Sequence, residues 1–233
     1  MPETIRHLEL RTALYMILKH ALAETATIGS DQFVYYDPTT SRKKLAPDAF
    51  VRLGTPNRVF RVWKTWQGGA PNVAVEIVSD SDEGEEDWGQ KMERYRASGI
   101  GEVVRFDPDN TEHPIRVWDH VDGDLVEREP AEDRVAECAC LGLFWVAVPH
   151  PTLRQMLRLA RDRAGKDLLP TPAEAAEEAR DALAAELAEL KKKLAEQGIT
   201  APGRTAGRRE ASGAVSARKK GASRGQKAPK PKR

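Results

Sequence analysis

Glu76 interrupts the apolar run Val73-Ala74-Val75-Glu76-Ile77-Val78, which is bounded by Pro71-Asn72 and Ser79-Asp80. A run of this kind reads as a strand buried on both faces. A carboxylate placed there is costly unless it is paired or bound to a cation. Asp48 lies 28 residues earlier, after Pro47 and at the start of another expected strand. If the two strands are neighbours, both carboxylates converge at one sheet edge. Together with the backbone carbonyl of Ile77 they offer hard oxygen donors that suit Mg²⁺ or Mn²⁺, with water filling the other positions. Such an ion can polarise a phosphoryl oxygen and acidify an attacking water, and a lysine nearby can stabilise the charge that develops on phosphorus. The bland alternatives stay open: Asp after Pro is often a turn residue, and two strand acids can be structural and neutralised by Lys or Arg.

The elements that must position these residues follow from periodicity. Leu10, Leu14, Ile17, Leu18 and Ala21 repeat at helical spacing within Thr4–Glu24, which predicts an amphipathic helix; Glu9 near its start is a solvated acid or a group that reaches the site. Gln32–Asp37 reads as a strand, and within Ala46–Val51 Pro47 fixes the chain just before another, which starts at Asp48. Arg58–Trp66 alternates basic with apolar or aromatic residues as an exposed hairpin strand would, so that Arg58, Arg61 and Lys64 are candidates for contact with a nucleic-acid backbone, or else solvated charges on a protective edge. The central strand is followed by a helix over Asp87–Ser98, capped by Gly99, and by a second buried strand over Glu102–Asp107. That order predicts a βαβ unit with adjacent parallel strands. On the helix Asp87 precedes Lys91 by four residues and shares its face, either aiming the lysine or forming an ordinary surface ion pair. Shorter strands are expected over Ile115–His120, Asp124–Glu129 and Arg134–Val148, with turns at Asp122-Gly123 and Glu129-Pro130, and a short helix over Thr152–Arg163 closes the domain.

Pro47-Asp48, VAVEIVS, the spacing Asp87-xxx-Lys91-xxx-Tyr95-xxx-Gly99 and a strand ending in Asp107-Pro108 resemble, over residues 5–150, the Uma2 family of endonucleases. Those proteins belong to the PD-(D/E)xK nuclease-like superfamily. The resemblance implies an α/β (α+β) fold with a central mixed sheet flanked by helices, and a Mg²⁺-dependent hydrolase acting on DNA phosphodiester bonds. Carried over, the metal-binding acids are Asp48 and Glu76. The superfamily's lysine two residues after the second acid falls at Val78, a departure that Uma2-like sequences share; they place a lysine on the following helix, here Lys91. Tyr95 and Asp87 stand beside it as supporting candidates. Asn72 takes a position where the family tends to have Asp.

The near-neutral sum of 37 Lys and Arg against 36 Asp and Glu hides an asymmetry. From Gly198 onward there are eleven basic residues and one acid, a charge of +10, which leaves −9 on residues 1–197. The tail is rich in Gly, Ala, Ser and Pro and is expected to be disordered. It would tether an acidic body to DNA through phosphate contacts. Between them, Ala173–Glu196 places Leu183, Leu187, Leu190 and Leu194 at intervals of four, three and four, a short coiled-coil seam. The expected organisation is therefore a nuclease-like domain over 1–168, a helical segment over 169–197 and a basic tail over 198–233. A homodimer through the domain or through residues 173–196 is one option; for the seam, a helix folded back on the body is the other. The competing function is a catalytically inactive nuclease-fold module that associates with DNA or protein through the seam and the tail. Two cysteines one residue apart, Cys138 and Cys140, and the absence of a secretory core or membrane-length apolar run lead to the expectation of a reduced, cytoplasmic chain.

Overall fold

The computed structural model describes residues 4–79, 85–129 and 134–197, with side chains at 85–87 left aside. The expected disorder of residues 198–233, the Asp87 side chain and Pro130 of the expected turn lie outside the described residues. Helix α1 (Ile5–Leu22) begins where the Thr4 hydroxyl accepts the His7 N–H at 3.2 Å, a side-chain cap that satisfies one of the helix's open donors. Its leucine stripe, Leu10, Leu14 and Leu18, is buried against one face of a six-stranded sheet.

That sheet contains β1 (Ala26–Gly29), β4 (Ala49–Leu53), β6 (Val73–Ile77), β7 (Glu102–Phe106), β8 (Ile115–Val121) and β9 (Asp124–Glu127), in that spatial order. β6 and β7 are parallel and joined by helix α3 (Glu85–Ser98), as the βαβ reading requires; every other pairing in this sheet is antiparallel. The sheet is mixed and the fold α/β. Alternation along β6 sends Val73, Val75 and Ile77 towards the α1 face and Ala74 towards the opposite face, where Tyr95 of α3, Phe50 and Trp118 complete a second core.

A small sheet of β3 (Lys44–Leu45), β2 (Val34–Tyr35) and β5 (Trp63–Lys64) packs on the α3 side, followed by the single turn α2 (Thr65–Gly68). A further antiparallel sheet, β10 (Val135–Cys138), β11 (Leu143–His150) and β12 (Arg154–Ala160), contributes to the α1-side core. Helix α4 spans Pro172–Glu196. The compact unit runs to Ala185, beyond the edge at residue 168 expected from sequence. The Arg158 guanidinium reaches forward to Glu174 at 2.8 Å, and Glu174 in turn accepts the Thr171 N–H at 2.7 Å, tying the start of α4 to β12. The second unit begins at Glu186; its described residues continue α4 and carry a Lys193–Glu189 pair at 2.7 Å.

Several elements depart from the sequence expectation. The expected helix Thr152–Arg163 instead contains strand β12, Arg154–Ala160, which pairs along its whole length with β11 from Phe144↔Ala160 to His150↔Arg154; Leu153 and Leu157 happen to fall at helical spacing, but the ladder decides. Arg58–Trp66 is no hairpin strand. Only Trp63–Lys64 is extended, parallel to β2, and the Trp63 ring sits in the core, 6.1 Å from Phe50 and 5.6 Å from Phe60, with its N–H donated to the Gly69 carbonyl at 2.9 Å. Arg134–Val148 divides into β10 and β11 around a turn at Gly142, whose φ of 65° suits glycine. Strand β1 carries no alternation and is not foreseen; all four of its residues are buried between α1 and β4.

Candidate active site

The register of β4 on β6 pairs Ala49 with Val75 and Phe50 with Ala74. Extended by one residue, it places Asp48 opposite Glu76, so both carboxylates meet at the end of two neighbouring strands. Asp48 is fixed by the backbone it faces: the Ile77 N–H donates to its Oδ2 at 2.7 Å. Asn72 holds the other end of the same strand pair, its Oδ1 accepting the Leu53 N–H at 2.9 Å and the Arg52 guanidinium at 3.2 Å. Its work is structural, and it lies at the strand end away from the carboxylates.

Helix α3 brings Lys91 and Tyr95, one turn apart on one face. The Lys91 ammonium lies 2.7 Å from Glu76 Oε2, and the fully buried Tyr95 hydroxyl donates to Oε1. Glu76 is only 4% exposed. Burial is the main influence on its acidity and pushes it up to about 7; the Lys91 charge opposes this, while the nearby Asp48 carboxylate adds to it. Lys91 is close enough to form an ion pair, yet burial outweighs it, so the group is poised between charge states near neutral pH. The Tyr95 hydroxyl is raised well above its ordinary value, first by burial and then by the adjacent Glu76 charge, and stays protonated as a donor.

Helix α1 supplies the residue that sequence reasoning missed. His7 Nε2 lies 3.2 Å from Asp48 Oδ2 and 3.2 Å from the Ile77 carbonyl oxygen. Both neighbours only accept, so Nε2 carries the proton. The signal was available: His7 continues the Leu10–Leu14 stripe towards the N-terminus, a polar residue on an inward face. Glu9, two residues on, is about 200° further round the helix and is exposed, so of the two it is His7 that faces the carboxylates.

Asp48, Glu76, Ile77, Lys91 and Tyr95 are thus brought together. Arg58, Arg61 and Lys64 are not part of this cluster. Arg58 lies against the Trp63 ring at 5.7 Å, and Lys64 lies 5.9 Å from the Trp66 ring on the wall of a separate cleft that Arg61 also lines.

The donors fit a hard divalent cation. Asp48 Oδ2 and the Ile77 carbonyl already converge on a single point, filled by the His7 N–H, and Glu76 Oε2 beside them meets an ammonium; each oxygen is presented to positive charge or a proton donor. Among the described residues no group of three or more His, Cys, Asp or Glu side chains is arranged to hold an ion. Any such ion would therefore rely on two carboxylates, one carbonyl and water, which is the sparse protein coordination Mg²⁺ tolerates.

Comparison with known families decides the relationship. The family described as "Uma2: Putative restriction endonuclease" matches residues 1–149. The chain belongs to the Uma2 family. The matched span contains all of the clustered residues, from His7 to Tyr95, and ends before α4. No curated protein matches the sequence. Among solved structures, a crystal structure titled as a putative nuclease belonging to DUF820, from Anabaena variabilis, aligns with a TM-score of 0.40 and 14% identity, covering 66% of this chain and 76% of that one; a likeness this distant carries no argument. No helix among the described residues is long and apolar enough to cross a membrane.

Proposed function

We propose that this Uma2 protein is a metal-dependent endonuclease that hydrolyses DNA phosphodiester bonds. The observation that carries the reading is the convergence of Asp48, Glu76 and the Ile77 carbonyl at one strand end, with Lys91 against Glu76. Asp48, Glu76 and the Ile77 carbonyl would hold Mg²⁺ or Mn²⁺, which supplies charge for the phosphoryl oxygens and acidifies a bound water. Lys91 places a positive charge beside the carboxylates, where it can meet a non-bridging phosphate oxygen. The His7 N–H bridges Asp48 Oδ2 and the Ile77 carbonyl and would yield that point to the ion. Tyr95 fixes the Glu76 rotamer by holding one of its oxygens, leaving the other directed at the cluster. DNA is the substrate favoured by the family description, and the +10 tail from Gly198 onward supplies a non-specific tether for a body of charge −9.

The test is calorimetric titration of Mg²⁺ and Mn²⁺ into the wild type and into Glu76→Ala, with plasmid nicking followed on the same samples. The expected result is binding and nicking in the wild type and loss of both in the variant, nicking by at least about 100-fold. A wild type that neither binds the ions nor nicks overturns the reading.

A second reading, in which the domain also works through protein association, draws on α4. Leu183, Leu187, Leu190 and Leu194 are 58%, 49%, 48% and 41% exposed, an apolar row with coiled-coil spacing on a helix that buries nothing. Glu186 on one flank and Lys191 on the other are of opposite sign, which suits pairing with a second copy of the same helix.

A further inference from the structure

Away from the carboxylates, a cleft of about 740 Å³ opens beside the small sheet. Its chemistry follows from the strand pairing. β2 and β5 run parallel, with Val34 beside Trp63 and Tyr35 beside Lys64. Val34 and Trp63 are buried, at 0% and 2% exposure. Alternation therefore turns Tyr35 and Lys64 outward on the same face. Phe33 just before β2 and Trp66 in α2 extend that face, each 43% exposed. Phe33 meets Tyr35 edge to face, with ring centroids 6.2 Å apart at 64°, and Lys44 Nζ stands 3.8 Å from the Phe33 ring centroid.

The charges in the cleft are unevenly matched. Asp37 is paired with Lys43 at 2.9 Å, and Asp31 with Arg11 at 3.4 Å. Arg61 and Lys64 remain: Arg61 is exposed and, among the described residues, has no carboxylate partner, and Lys64 leans over the Trp66 ring at 5.9 Å. Exposed aromatic faces interleaved with unmatched cations are the pattern of a surface that stacks bases and tracks a phosphate backbone.

The cleft rim is also tied to the chain that carries the carboxylate site. The Asp31 N–H donates to the Pro47 carbonyl at 2.9 Å, and Pro47 immediately precedes Asp48. Arg11, the partner of Asp31, lies one turn along α1 from His7. One loop and one helix therefore carry both the cleft rim and the acidic cluster.

We propose that this cleft is a stacking subsite for unpaired nucleotides of single-stranded DNA, with Phe33, Tyr35 and Trp66 receiving bases and Arg61 and Lys64 receiving phosphates. A duplex hides its base faces in the stack and offers such a concavity only its backbone, so the surface discriminates in favour of single strands. The inference rests on the nuclease reading for what lies at the end of the bound strand; the stacking itself needs neither the metal nor cleavage.

The experiment uses the full chain in EDTA, where no hydrolysis can contribute, and raised salt, where phosphate contacts of the tail are weakened. Anisotropy of a labelled short oligothymidylate is compared with that of a blunt duplex of the same length. Phe33→Ala and Trp66→Ala should each weaken oligothymidylate binding by about tenfold while leaving duplex binding unchanged. Trp66→Phe, which keeps a flat face, should recover most of the loss. Equal losses on both nucleic acids, no loss on either, or failure of Trp66→Phe to recover binding would overturn the proposal. Because binding is read without metal, a chain that stacks oligothymidylate yet never nicks plasmid would refute the nuclease reading alone.

Discussion

Glu76 sits where opposing forces nearly balance, and this makes its charge an experimental handle. In the unfolded chain its carboxyl titrates near the ordinary 4.5; in the folded protein burial raises it to about 7. Between those values the folded state keeps a proton that the unfolded state has released. Stability therefore falls as pH rises from about 4.5 to about 7 and levels off above. The full effect is on the order of 3 kcal/mol. Glu76→Gln should abolish that slope, so that in thermal unfolding against pH the variant matches the wild type at acid pH and overtakes it at pH 8. Parallel curves would mean that Glu76 is ionised throughout. Glu76 was legible in the sequence because an acid inside an apolar run needs a reason. The same signature stands at Glu102, fully buried in β7, and there the reason is structural: Trp145 donates to it at 3.2 Å and Arg128, which also grips Asp119, at 3.2 Å. Those partners lie 43 and 26 residues away in sequence. Burial of an acid can be read from a sequence; whether its partners neutralise it or share it with a ligand is decided by tertiary contacts. His7 showed its place on the α1 stripe in the sequence, but its partners Asp48 and Ile77 are tertiary.

Among the elements, those whose burial is set by their own periodicity were readable: α1 with its leucine stripe, β6 and β7 as apolar runs, α3 between them. The small strands were not. β2, β3 and β5 are two residues each, too short to show a period, and Trp63 of β5 is buried in the core. β12 looks helical locally and becomes a strand because β11 offers it a ladder. Helix α4 is the opposite case, a strong helical sequence whose apolar row has no partner within its own helix. If that row pairs with a second copy, sedimentation velocity should find a dimer in the wild type, and Leu187→Glu with Leu190→Glu should convert it to monomer without loss of helicity, since the helix buries nothing else. A wild type that sediments as a monomer at tens of micromolar would remove the association reading.

At the scale of the molecule, the six-stranded sheet lies between two layers, α1 with β10–β12 on one face and α3 with the small sheet on the other. The carboxylates stand at the strand end where both helices reach in, α1 through His7 and α3 through Lys91 and Tyr95. This arrangement makes Glu76 a fastener. Lys91 takes one of its oxygens and Tyr95 the other, so the carboxylate clips α3 to the sheet. Under the proposed function, the Lys91 ammonium and an ion would compete for Glu76 Oε2, so loading the site would loosen half of the clip. Occupancy would then be felt along the helix: deuterium uptake by the amides of residues 88–95 should quicken when Mn²⁺ is added and stay flat in Glu76→Ala, already unclipped. Uptake that Mn²⁺ leaves untouched in the wild type would mean that the buried Tyr95 ring alone secures the helix. Under the proposed function, loading the site would redirect the Lys91 charge and loosen α3 together, a linkage that a lysine fixed two residues along the strand, at position 78, could not provide.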